Sequence, residues 1–85
     1  MNSGNRGSAA PIRGTGRVTF VEVGRGFYGI HSDDGARYDP GRLDKAYQRH
    51  GLRVRFVLRP RPGAMSVRMW GEPVELVSLE PVGAG

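Results

Sequence analysis

Residues 52–59, Leu-Arg-Val-Arg-Phe-Val-Leu-Arg, alternate apolar and basic side chains. Leu52, Val54, Phe56 and Leu58 share one parity, while Arg53, Arg55 and Arg59 share the other, with Val57 the exception. A period of two belongs to a strand with one buried and one solvated face. A strand of this kind cannot be stable alone, so the remaining apolar residues must supply a sheet around it.

They do so in short runs separated by turn signals. Residues 17–23, Arg-Val-Thr-Phe-Val-Glu-Val, are β-branched and aromatic, and Gly24-Arg25-Gly26 follows as a turn. Residues 27–32 make a second strand, Asp33-Asp34-Gly35 a hairpin turn, and residues 36–39 a short third strand. Asp39 is placed to cap a helix, with Pro40 in its first turn and Gly51 at its end. Leu43, Ala46, Tyr47 and His50 would form that helix's single face. After residues 52–59, the segment Arg59-Pro60-Arg61-Pro62-Gly63 is a stiff basic loop. Residues 65–70 carry Val67 and Met69 on one face and Arg68 and Trp70 on the other. Gly71 and Pro73 bend the chain before residues 74–79 resume a strand.

The expected fold is therefore all-β: a small five-stranded OB-like Greek-key barrel with one short helix between strands 3 and 4. An SH3-like barrel is the alternative, and it places the helix less well. Residues 1–13 read as a disordered basic tail, 14–80 as the barrel and 81–85 as a flexible C-terminus. About 65 residues then build the core, a size that buries only roughly 60% of its unfolded surface.

Part of the chain resembles known families. Gly16-Arg17-Val18-Thr19-Phe20, Arg25-Gly26-Phe27-Tyr28-Gly29-Ile30 and Asp33-Asp34-Gly35 are similar to the first half of a cold-shock domain, whose aromatics stack on unpaired bases. The second aromatic of that family's Gly-Phe-Gly-Phe is displaced to Tyr28, with Gly29 in its place. Ala36-Arg37-Tyr38-Asp39 stands where that family has Val-Phe-Val-His. Over residues 16–80 the pattern Gly26-Phe27-Tyr28-Gly29-Ile30, Asp33-Asp34-Gly35, Tyr38-x-Pro40, Leu43, Gly51-Leu52-x-Val54-x-Phe56 and Met69-Trp70-Gly71-x-x-Val74-Glu75 resembles a group of small uncharacterised bacterial OB-like domains. That resemblance implies the fold and a bacterial origin and brings no activity with it.

Net charge is +5, and no acidic residue falls between Asp44 and Glu72. That window holds Lys45, Arg49, Arg53, Arg55, Arg59, Arg61 and Arg68. Basic loops and faces favour polyanions, and aromatics among them can stack on bases. The candidate polyanion-binding set is Arg25, Phe27, Arg37, Tyr38, Arg53, Arg55, Arg59, Arg61, Arg68 and Trp70. The competing account of the arginines is ordinary solvated surface; for Trp70 it is a structural plug at the bend. Four phosphate contacts would give a log–log salt slope near −3, at about −0.7 per contact.

Catalytic signals are weak. There is no cysteine, and the two histidines, His31 and His50, have no third ligand at metal-site spacing. The expected helix places His50 at its C-terminus, where positive charge suits the dipole. No serine sits in a nucleophile motif, and Gly24-Arg25-Gly26 is too short for a phosphate loop. The expectation is a non-enzyme without cofactor, located in the cytoplasm and not inserted in a membrane. Its expected partner is single-stranded DNA or RNA. The alternative is a scaffold domain docking an acidic protein, with Trp70 and arginine as anchors.

Overall fold

The computed structural model describes residues 10–61 and 70–83. Five strands form a closed barrel: β1 (Ile12–Val21), β2 (Phe27–Ser32), β3 (Arg37–Asp39), β4 (Arg53–Pro60) and β5 (Glu72–Pro81). Neighbours run β1-β2-β3-β5-β4, and β4 returns to β1. All pairings are antiparallel except β3 with β5, which close the cylinder through Tyr38↔Glu72 and Asp39↔Pro73. This is the OB-like order expected of the sequence. Among the described residues no helix is long and apolar enough to cross a membrane.

β4 behaves as its alternation requires: Val54, Phe56 and Leu58 are buried, and they join Val18, Ile30 and Val74 as fully buried side chains. Each contributes roughly 1.5–3 kcal/mol on leaving water. β5 keeps pace with β4 only through a bulge. Val57 pairs with Ser78 and Leu58 with Leu76, which leaves Val77 as the extra, exposed residue. The bulge reverses β5's parity, so Val74 and Leu79 both face inward.

β1 begins at Ile12, two residues before the expected barrel boundary, with Ile12↔Leu58 and Arg13↔Val57 in register. The core parity of β1 includes Gly14 and Gly16, which add nothing to a hydrophobic pattern. A Cβ on Gly14 would stand 3.0 Å from Phe56 Cζ. One on Gly16 would stand 2.8 Å from Ser32 Cα and would collide with the His31 carbonyl. Residues 1–9 of the tail, 65–69 of the expected strand and 62–64 before it lie outside the described residues, while Arg59 and Pro60, expected in the loop, end β4. At the other end the ladder runs through Pro81, and the Val82 N–H bonds to the Arg53 carbonyl.

The helix expected after Asp39 is only a 3₁₀ turn, Lys45–Tyr47. Gly41 takes a positive φ of 82°, and its N–H goes to Asp39 Oδ1 in a local turn. Asp39 therefore caps a turn instead of a helix. The remaining stretch is shorter than the ~12–15 residues that sustain a helix, and packing holds only part of the face. Leu43 is buried and Tyr47 half-buried, while Ala46 and His50 are exposed.

Residues 50–52 instead prolong the β1–β4 ladder. Val18 N–H donates to the Leu52 carbonyl and Gly51 N–H to the Val18 carbonyl. The next donor, Phe20 N–H, finds His50 Nδ1 at 2.9 Å. The imidazole stands in for the missing backbone acceptor, so His50 does not serve a helix dipole.

Candidate binding face

Register brings one row of side chains across four strands. Arg53 on β4 pairs with Arg17 on β1, Arg17 with His31 on β2, and His31 with Arg37 on β3. Directly paired residues project to the same side of a sheet. These belong to the outer parity, since Val18, Ile30, Tyr38 and Val54 next to them are buried. Three inter-strand steps of about 4.8 Å make the row ~14 Å wide.

Asp33 limits the charge at one end of that row. Arg53 grips it in a bidentate pair, Nη1–Oδ1 at 2.7 Å and Nη2–Oδ2 at 3.1 Å. Thr15 Oγ1 donates to Oδ2 at 2.7 Å. The Arg53 hydrogen bonds first, then the Thr15 bond, hold the Asp33 carboxyl down at about 2, with the charge of Arg17 adding to the effect. Two guanidiniums face each other in the Arg17↔Arg53 pair, and Asp33 relieves their repulsion. Asp34 does a separate job: its Oδ1 accepts from Ala36 N–H, and that bond keeps its own carboxyl below the usual value.

At the other end lies Trp70. Its ring crosses β2 over Gly29, where a Cβ would stand 2.6 Å from Cη2. The ring meets Phe27 edge-on, centroids 5.7 Å apart, and the Arg37 guanidinium lies 5.9 Å from the ring centroid. Gly71 makes this crossing possible. Its φ is +76°, and a Cβ there would stand 2.9 Å from the Arg37 carbonyl oxygen. The chain passes close over β3, lays Trp70 on β2, and enters β5.

The sequence-derived candidates separate accordingly. Arg37 and Trp70 sit together on the β2–β3 face, the usual ligand side of this architecture. Phe27 shares that face, but it is only 8% exposed beneath Trp70. Tyr38 does not belong to the surface. It is buried, its ring packs edge-on against Phe56 at 5.9 Å, and burial pushes its hydroxyl up. Its inward parity leaves no ring face for a base.

Arg55 and Arg59 are on β4's outer side, where β5 supplies acids in register: Arg55–Glu80 at 3.4 Å and Arg59–Glu75 at 3.7 Å. With Arg53 on Asp33, the three strand arginines expected to meet a polyanion each face a carboxylate. Arg25 is exposed in the β1–β2 turn, and Arg61 is exposed just beyond β4, its N–H bonded to the Pro73 carbonyl. Arg68 lies outside the described residues.

Sequence reasoning missed Arg17, His31 and Phe20. Arg17 is exposed and, among the described residues, makes no ion pair. Phe20 is the most exposed aromatic, 38% accessible, edge-on to Tyr28 at 5.1 Å and lying over Gly26. The alternation Arg17-Val18-Thr19 was a usable signal for Arg17's outward parity, but only the register places it beside His31. Among the described residues, no three His, Cys, Asp or Glu side chains group as metal ligands.

Fold and site together define a small closed OB-like barrel with a mixed aromatic and basic outer face. Comparison with family models, curated proteins and solved structures finds no match for the chain.

Proposed function

We propose that this barrel is a non-catalytic module that binds single-stranded nucleic acid across β1, β2 and β3. The observation that carries the reading is the placement of Arg17, His31 and Arg37 as consecutive register partners, with the Trp70 ring against Arg37. Arginines in such a row contact backbone phosphates, and the exposed part of an aromatic ring takes a base at ~1–3 kcal/mol per stack. Phe20, near the β1–β2 turn with Arg25, supplies a second exposed aromatic. The docking alternative has a weaker basis, because Trp70, its intended anchor, is already packed on Gly29 and Phe27.

Ion pairing at Arg53, Arg55 and Arg59 leaves fewer cations for phosphate than the composition suggests. With about three contacts, from Arg17, Arg37 and Arg25, the log–log salt slope is near −2. The test is a fluorescence-anisotropy titration of a labelled single strand at several salt concentrations. Arg17→Gln and Arg37→Gln should each flatten the slope by about 0.7. Absence of binding at low ionic strength refutes the reading.

A further inference from the structure

An open groove of about 480 Å³ lies along the outer side of β1 and β2, lined by Arg17, Thr19, His31, Asp33 and His50, with backbone from Gly35 and Gly51. Its polar groups are mostly donors. Arg17 has no carboxylate within ion-pair distance among the described residues. His50 Nδ1 is occupied as the acceptor for Phe20 N–H, so the neutral ring carries its proton on Nε2 and can only donate from there. Thr19 adds a hydroxyl. The one carboxylate, Asp33, is already engaged by both Arg53 nitrogens and by Thr15. Its charge is offset by Arg53, which also ends the cationic row on that side.

A site with several donors, whose one carboxylate is already engaged, suits a group made of acceptor oxygens. We propose that this groove binds a phosphate monoester, with the phosphorylated end of a single strand as its source. A monoester offers three terminal oxygens and close to two charges, whereas an internal diester offers two oxygens and one charge. The groove stands where the row of cations stops at the Asp33–Arg53 pair, the place for a strand to end. The proposal rests on the single-strand reading for its ligand but not for its pocket chemistry.

The test has two arms, both on the full chain. In the first, ¹⁵N-labelled protein is titrated with inorganic phosphate while the Phe20 amide and the His31 and His50 ring signals are followed. Saturable shifts are expected, and Arg17→Gln weakens the apparent Kd at least about tenfold, the loss of a charge-assisted hydrogen bond. Arg13→Gln, on the same strand outside the groove, leaves it unchanged. In the second, one oligonucleotide is compared with a phosphorylated and with a hydroxyl end. The phosphorylated form binds at least about tenfold tighter, and Arg17→Gln erases the difference.

No saturable shift with phosphate, or the same affinity in Arg17→Gln, overturns the groove. Equal binding of the two strand ends overturns it as an end-reading site and leaves the single-strand reading intact. Phosphate shifts without binding of either strand keep the groove and remove that reading.

Discussion

Gly29→Ala tests how the outer face is built. A methyl there would stand 2.6 Å from Trp70 Cη2 and closer still to Cζ3, where carbon contacts settle at about 3.5–4.0 Å. β2 is held in place by its ladder to β1, with Thr19 opposite Gly29. The indole must therefore move. Uncovering roughly half of an aromatic side chain, ~100 Å², costs about 2.5 kcal/mol at 25 cal/mol per Å². Losing the edge contact with Phe27 adds ~0.5–1.5 kcal/mol. Alanine in place of glycine in a strand returns ~0.5–1 kcal/mol. The net expectation is a loss of about 2–3.5 kcal/mol, a large part of what a domain of this size holds in total.

The chain has one tryptophan, so its fluorescence reports the displacement directly. Gly29→Ala should lower the urea midpoint and shift native-state emission to the red. A double-mutant cycle with Trp70→Leu isolates the cause. With the indole gone, the added methyl meets open space and its cost should vanish, giving a coupling of about 2–3.5 kcal/mol. Additive effects together with unchanged emission would refute the claim that Trp70 fills the space left by Gly29.

Three further outcomes follow from the same geometry. Gly16→Ala should cost ~3 kcal/mol or leave the chain unfolded by circular dichroism, because the added Cβ meets β2 backbone that cannot swing aside. Asp33 has a depressed carboxyl value, so its stabilisation is complete above the ordinary 3.8 and is lost as pH falls through about 2. Asp33→Asn should remove that part of the acid transition, measured as the unfolding midpoint against pH. Glu75→Gln with Glu80→Gln should release Arg59 and Arg55, steepening the salt slope for a single strand by about 1.4. Stability in the same double variant should stay within about 0.5 kcal/mol per site, as for exposed pairs generally.

The barrel was legible where local pattern and tertiary burial agree. β4's alternation needs no partner to be read, and Asp33-Asp34-Gly35 turns as its residue types dictate, with Gly35 N–H on the Ser32 carbonyl. The segment after Asp39 misleads because Leu43, Ala46, Tyr47 and His50 fit a helical period while Gly41, inside the expected first turn, takes a positive φ. Periodicity states which faces would match if a helix formed, and it says nothing about the backbone angles that forbid one. The start of β1 at Ile12 is hidden in the sequence for the opposite reason: Gly14 and Gly16 are core positions whose lack of a side chain is their contribution. Gly29 in β2 has the same origin, since Trp70, distant in sequence, takes up the room a side chain would need.

Charge was the least legible property, and the bulge at Val77 explains why. The window from Lys45 to Arg68 contains no acid, yet Glu75 and Glu80 stand opposite Arg59 and Arg55. Those two glutamates have opposite parity in sequence, so a regular β5 would turn one of them inward. Only the extra residue lets both reach the outer side. Conversely Arg17, His31 and Arg37 are scattered along the chain and become neighbours through two hairpin registers. In a barrel, neighbours along one strand share a face only at every second residue, while neighbours across strands share it at every pair. The potential that a polyanion meets is therefore set by register, and the arginine run in β4 is the part of this surface that acids answer most fully.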